Sequence, residues 1–279
     1  MDNTKFLSHR LRGFDNIDSS LIAITKAVQS DAPYLEIDTR VSKDGIIYVA
    51  HDDALLSDKS SLSISEKTSS EIDTFIQKNS LKVITLDALL NVFSRRKNNS
   101  QVLMIDIKDY GFEMQHLDLV KKYKLTKHIT WVSWIPQSLQ EMDKLDPFSP
   151  KILSFIPVNN FFALLTKNIS IKKVPFIPIV LIGRNYYNAN LKTLAHGYQH
   201  AYLSYKLNKD LITLLSKNGG GVCISKHLIT KNQLTFNKKN ALKTAIFSAR
   251  NRQDYNKLVA LGADIVFCDF IDRKIMNEF

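Results

Sequence analysis

Short apolar runs rich in β-branched and aromatic residues recur along the 279-residue chain. The clearest are Lys5–Ser8, Tyr34–Asp38, Val102–Ile107, Ile129–Ser133, Ile152–Ile156, Leu242–Phe247 and Asp264–Cys268. Between them apolar positions return with helical spacing, as in Ser19–Ser30, Pro136–Leu145 and Gln253–Leu261. Runs apolar on both faces, separated by amphipathic segments, are the rhythm of a parallel sheet covered by helices, and they predict an α/β fold. Two further strand candidates, Ala201–Tyr205 and Gly221–Ser225, compete with the apolar run Pro178–Gly183 for the remaining place if eight strands close a barrel.

The rhythm breaks between Asp53 and Leu81, where a Ser/Lys-rich stretch is long enough for a small excursion from a sheet. Within it Thr68-Ser69-Ser70-Glu71 has the form of a capping box, hydroxyl and carboxylate each satisfying a free backbone N–H at a helix start. A short helical insertion is expected here, at about 53–84, and not a second domain. The Lys/Asn-rich piece Thr230–Lys243 reads as a solvated helix face and turn, and no internal repeat is evident.

Composition narrows the picture only a little. A chain that is 44% hydrophobic can bury a sizeable core, and this length suits one barrel as well as two small domains. The net charge of +11 fits an anionic partner but equally a Lys-rich solvated surface, and no basic stripe interleaved with aromatics points to nucleic acid. Cys223 and Cys268 lack CxxC spacing, so neither a zinc site nor a disulfide framework is indicated. The start MDNTKFLSHRLRG lacks the apolar run of a secretory signal. Val174–Gly183 holds two prolines and falls short of the roughly 20 residues that span a bilayer. These features lead to the expectation of a cytoplasmic protein without a transmembrane segment.

Four clusters carry candidate chemistry. His9-Arg10 closes the first strand, where a barrel keeps its active-site loops, and joins a proton-transfer group to a fork for two phosphate oxygens. Glu36 and Asp38 stand at i and i+2 of one strand and so face one side; two carboxylates buried together need a cation or a proton between them. Oxygen-only ligands suit Mg²⁺ or Ca²⁺ better than zinc, whereas an edge strand would merely show both groups to water. The turn Lys43-Asp44-Gly45 and the run Ile46–Ala50 then return a second histidine, His51, to the same rim, with Asp52 either orienting it or serving structure. Asp106 and Lys108 again share a face at i and i+2, as a third carboxylate beside an ammonium or as a surface ion pair.

In order, SHRLRG, YLEIDTRVSKDG, VAHD and MIDIKDYG resemble the glycerophosphodiester phosphodiesterase family, a phospholipase-C-like phosphodiesterase barrel. The likeness is strong over residues 5–55, continues to about residue 145 and returns from Leu242 in AIFSARN and LGADIVFCD. It implies a single (β/α)8 TIM barrel domain over 1–279 with its small insertion after the second strand. It also implies a divalent cation and hydrolysis of glycerophosphodiesters to glycerol phosphate and an alcohol. By position, His9 and His51 would be the acid–base pair, Glu36, Asp38 and Asp106 the metal ligands, and Arg10 and Lys108 the phosphate grips.

The chain departs from the family pattern in places. Asp18-Ser19-Ser20 replaces a Glu-Asn-Thr triplet, Asp106 replaces a Glu, Phe247 a Trp, and two residues separate Arg10 from Gly13. These changes leave open a lysophospholipid or a glycerol-phosphate-containing polysaccharide as substrate, or a barrel that binds phosphorylated ligands without turnover. The partner is expected to be a small-molecule or polymeric phosphodiester, and the sequence sets no oligomeric state. His116, His128, His196, His200 and His227 lack a partner in any motif and read as surface or packing residues.

Overall fold

The computed structural model describes residues 4–157, 203–204 and 207–272. In chain order its strands are β1 (Lys5–Ser8), β2 (Tyr34–Val41), β3 (Ile47–Val49), β4 (Ala54–Leu56), β5 (Ser61–Ser63), β6 (Val102–Ile107), β7 (Ile129–Ser133), β8 (Lys151–Ser154), β9 (Ile156–Pro157), β10 (Leu203–Ser204), β11 (Gly221–Ser225), β12 (Lys243–Ala249) and β13 (Ile265–Cys268). The helices between them are α1 (Leu21–Ala27), α2 (Ser69–Lys78), α3 (Leu86–Phe93), α4 (Glu113–Lys122), α5 (Pro136–Leu145), α6 (Lys209–Ser216), α7 (Lys231–Lys239) and α8 (Arg252–Leu261).

Eight strands close a parallel ring in the order β1, β2, β6, β7, β8, β11, β12, β13, with β13 pairing back to β1. Closure leaves no sheet edge, which is why these strands can be apolar on both faces. Leu7, Met104, Val132, Ile152, Cys223, Ala245 and Ile265 fill the interior, while the larger outer cluster, including Phe6, Leu35, Ile37, Ile105 and Val266, packs under the helices. This is the expected (β/α)8 barrel.

Gly221–Ser225 takes the contested strand place, between β8 and β12. A β-carbon at Gly221 would collide with the backbone of Lys243, and one at Gly220 with Lys151, so the glycines admit β11 to the ring. The expected strand Ile152–Ile156 divides: Lys151–Ser154 lies in the ring, and Ile156–Pro157 pairs with Leu203–Ser204 outside it. Part of the Ala201–Tyr205 candidate therefore lies off the barrel, and Pro178–Gly183 lies outside the described residues.

β2 runs past the rim, where β3 pairs with it antiparallel from Thr39 opposite Val49 to Val41 opposite Ile47. Gly45 closes the turn at φ +88°, a left-handed conformation that glycine adopts without strain. The segment that follows holds the hairpin β4–β5 as well as α2, whose start carries the capping box of Thr68 and Glu71. It packs through Leu55, Ile64 and Ile72 on Tyr48, whose hydroxyl donates to Asp73 at 2.8 Å. Among the described residues no helix is long and apolar enough to cross a membrane.

Candidate active site

β2 and β6 are neighbours in register, with Asp38 opposite Asp106, so side chains two apart on each strand converge inside the barrel mouth. Glu36, Asp38, Asp106 and Lys108 are 2%, 4%, 5% and 4% exposed, which excludes both the edge-strand and the surface-pair alternatives. One oxygen from each carboxylate lies within 4.8 Å of the other two. Lys108 Nζ lies 2.8 Å from Asp38 Oδ1 and 2.5 Å from Asp106 Oδ2. The other oxygens, Asp38 Oδ2 and Asp106 Oδ1, are buried and accept no hydrogen bond. Asp38 Oδ2 faces Arg10 Nε at 3.1 Å.

Three carboxylates thus share two cationic side chains. Burial, reinforced by Asp38 and Asp106, pushes Glu36 well above the usual carboxylate range. Burial likewise raises Asp106, partly offset by Lys108. Asp38 is held low because Lys108 and Arg10 outweigh its burial, and Lys108 is raised because Asp106 and Asp38 outweigh its own. The cluster is short of positive charge, and Glu36 carries most of the shortfall.

Beyond β1 the chain makes a single 3-10 turn, His9–Leu11, in which Arg10 and Leu11 adopt left-handed φ of 53° and 55°. Such conformations cost on the order of 1–3 kcal/mol each and persist only where neighbours hold them. Here Arg10 N–H donates to Glu36 Oε2 at 2.8 Å, and Ser19 N–H donates to Arg10 O at 3.0 Å. The turn sets His9 over the mouth. Its Nδ1 lies 2.7 Å from Asp269 Oδ1, its Nε2 is 4.0 Å from Glu36 Oε2, and its ring meets Phe267 edge-on at 5.7 Å. Arg12 Nη1 also donates to Asp269 Oδ1, at 2.7 Å. Although burial opposes it, these bonds and charges hold Asp269 at about 2.

His51 follows β3 and is mostly buried, with Nδ1 2.8 Å from Asp52 Oδ1. Burial lowers it to about 4: the pull of Asp38 and Asp52 is countered by Lys108 and Arg10. His51 is therefore a neutral imidazole at pH 7. Asp52 is exposed, whereas the carboxylate on His9 is partly buried, so the two histidines sit in unequal settings.

The sequence model of the glycerophosphoryl diester phosphodiesterase family matches residues 9–273. The chain belongs to the glycerophosphoryl diester phosphodiesterase family. It is accordingly a phosphoric diester hydrolase, as the ordered motifs led us to expect. Solved relatives share the fold. A glycerophosphodiester phosphodiesterase from Parabacteroides distasonis aligns at TM-score 0.65 and 17% identity, over 99% of this chain and 98% of that one. A phosphodiesterase from Oleispira antarctica, solved with the product sn-glycerol-3-phosphate, aligns at 0.62 and 18%, over 98% and 95%. A glycerophosphodiester phosphodiesterase from Thermotoga maritima aligns at 0.59 and 18%, over 95% and 94%. No curated protein matches significantly in sequence.

In this phosphodiesterase the expected residues His9, Arg10, Glu36, Asp38, His51, Asp106 and Lys108 all gather at one end of the barrel. The substituted triplet stands apart from the carboxylates. Asp18 accepts from Arg12 Nε at 2.9 Å, Ser19 supports the Arg10 turn, and Ser20 caps α1 while donating to Asp15. Gly13, at φ +85°, is packed so that a β-carbon would come within 2.5 Å of Ile271 Cγ1, which ties the longer first loop to the chain after β13.

Sequence reasoning missed Asp269 and Arg12. The available signal was positional: Asp269 follows the apolar run of the last barrel strand, at the end where such folds keep functional groups. His116 is fully buried against Thr39 Oγ1 and Phe112 O, a packing residue as expected; His196 and His200 lie outside the described residues. Trp131 is core, its Nε1 donating to Asp146 at 2.9 Å, while Trp134 meets Phe247 edge-on at 6.1 Å.

Proposed function

We propose that this phosphodiesterase hydrolyses a glycerophosphodiester to glycerol phosphate and an alcohol, with a divalent cation on Glu36, Asp38 and Asp106 and with His9 and His51 as the acid–base pair. The observation that carries the reading is the convergence of three buried carboxylates in a cluster short of positive charge, with Asp38 Oδ2 and Asp106 Oδ1 accepting no hydrogen bond. The donor set fits the ion. Oxygens each about 2.1–2.4 Å from one centre stand at most about 4.8 Å apart, and one oxygen from each of these carboxylates lies within 4.8 Å of the others. All-oxygen ligation favours Mg²⁺ or Ca²⁺, and the short Asp106 leaves room for water in the shell. When bound, such a cation supplies Lewis-acid stabilisation of charge on the phosphoryl oxygens.

The protein's own groups do the rest. Arg10, the more exposed of the two expected phosphate grips, is available to a non-bridging oxygen, with Lys108 beneath it on Asp38 and Asp106. His51, neutral at pH 7, accepts the proton of the nucleophile, which is water or the neighbouring glycerol hydroxyl by way of a cyclic phosphate. Asp269 aims His9 by accepting its Nδ1–H and balances the charge of the doubly protonated ring, whose Nε2–H passes to the alcohol oxygen as its bond to phosphorus breaks. Glycerol phosphate as product is supported by the ligand of the Oleispira antarctica relative.

The test is release of glycerol phosphate from glycerophosphocholine and glycerophosphoethanolamine with Mg²⁺, Ca²⁺ or chelator. Turnover should vanish with chelator and fall about 10²- to 10⁴-fold in His51→Ala. Turnover indifferent to both would sink the reading. A lysophospholipid is the second reading. Of the exposed large apolar residues, Ile17, Leu21, Ile22, Ile46, Leu56 and Met114 belong to segments that follow barrel strands, whereas Phe148 precedes β8. Preference for lysophosphatidylcholine over glycerophosphocholine in the same assay would favour it.

A further inference from the structure

Arg40 continues the face of Glu36 and Asp38 two residues further along β2, above the barrel rim. Its side chain is 0% exposed, and its guanidinium is forked between two groups. Nε donates to the backbone carbonyl of His51 at 3.1 Å, and Nη1 donates to Asp109 Oδ1 at 3.0 Å. The second oxygen of Asp109 accepts from Val41 N–H at 2.8 Å. One guanidinium therefore ties together the end of β2, the residue after Lys108 and the backbone that carries His51.

A buried ion pair of this kind is a poor device for stability, because desolvation offsets most of the Coulomb gain and an apolar pair of the same volume commonly does as well. What a planar fork supplies is geometry. His51 lies just past the last backbone bond to β2, Ala50 N–H to Asp38 O at 3.1 Å, and there its own carbonyl is taken up by the Arg40 fork. Displacement of a reacting group by about 1 Å can cost on the order of 10² in rate.

We infer that Arg40, braced by Asp109, is a positioning residue that sets the place of His51 relative to the carboxylates of β2 and β6. The inference rests on the proposed role of His51. Arg40 donates to the His51 carbonyl and to Asp109. Its effect passes through the His51 backbone, so it belongs in kcat more than in KM.

The experiment is a cycle in the full chain with glycerophosphocholine. The charge-removing variant is Arg40→Met with Asp109→Asn, in which the amide oxygen still accepts from Val41 N–H and no buried carboxylate is left unpaired. Its fold is checked by circular dichroism and thermal melting. Should it fail to fold, Arg40→Lys takes its place: an ammonium keeps the charge beside Asp109 but lacks the fork that reaches His51 O at the same time. We expect kcat to fall about 10- to 100-fold with KM changed less than about 3-fold, and no further fall when His51→Ala is added. A folded variant with the kcat of the parent overturns the inference. So does a loss that multiplies with that of His51→Ala, since Arg40 would then act elsewhere. If His51→Ala alone keeps full turnover, the role of His51 fails, and the inference with it, in a result separable from either of those.

Discussion

His9 Nδ1 and Asp269 Oδ1 lie 2.7 Å apart although 260 positions separate them, because β1 and β13 are the strands that close the barrel. A carboxylate on Nδ1 holds the imidazole in one tautomer and turns Nε2 toward the mouth. Asp269→Asn can present its amide in the wrong sense. It should lower kcat by about 10²-fold or more while leaving KM for a diester substrate nearly unchanged, as measured by steady-state kinetics at saturating cation.

The same carboxylate links stability to pH. Asp269 is depressed to about 2, against an ordinary aspartate value of about 4, so its contribution is fully present above about pH 4 and is lost as pH falls through about 2. The stability difference between the parent and Asp269→Asn, from urea melts, should shrink between about pH 4 and pH 2. A difference that stays constant through that window would exclude the linkage.

Lys108 bridges Asp38 and Asp106 at full burial. Lys108→Met should therefore destabilise the protein by about 3–5 kcal/mol in chelator, since the buried Asp106 loses the ammonium it pairs with and Asp38 keeps only Arg10. Added Mg²⁺ or Ca²⁺ should restore much of that loss, because a bound cation replaces the missing charge. Thermal melts with and without the ion give the comparison. A loss of the same size in both would mean that no cation enters the carboxylate cluster.

Thr68 and Glu71 cap α2 reciprocally, the Thr68 amide donating to Glu71 Oε2 at 2.9 Å. Thr68→Ala should lower stability by about 1 kcal/mol through the lost cap, with kcat unchanged because the insertion contributes none of the clustered side chains. Chemical denaturation and a rate assay on the same preparation check both halves.

Much was legible because it is local. The two-residue period of a strand put Glu36 with Asp38 and Asp106 with Lys108 on shared faces before any partner strand was known, and the Thr68–Glu71 spacing marked a helix start in the same way. The apolar flanks of those strands already favoured burial, and the ordered motifs carried the family and its barrel.

Other features are decided by segments far apart in the chain. Gly221–Ser225 takes its place in the ring with the backbones of Lys151 and Lys243 close against Gly220 and Gly221, an approach between segments far apart in the chain. The pairing of Asp269 with His9, and of Arg40 with both Asp109 and the His51 carbonyl, has no periodic signature, since each joins side chains brought together by strand order and not by spacing. Burial is tertiary too: the same Asp106 and Lys108 that would form a weak ion pair on a surface become, at the mouth of a closed barrel, part of a cluster short of positive charge. The sequence by itself determined which groups lie side by side along a strand; the tertiary structure decided which strands meet, and with them the charge balance and the aim of each histidine.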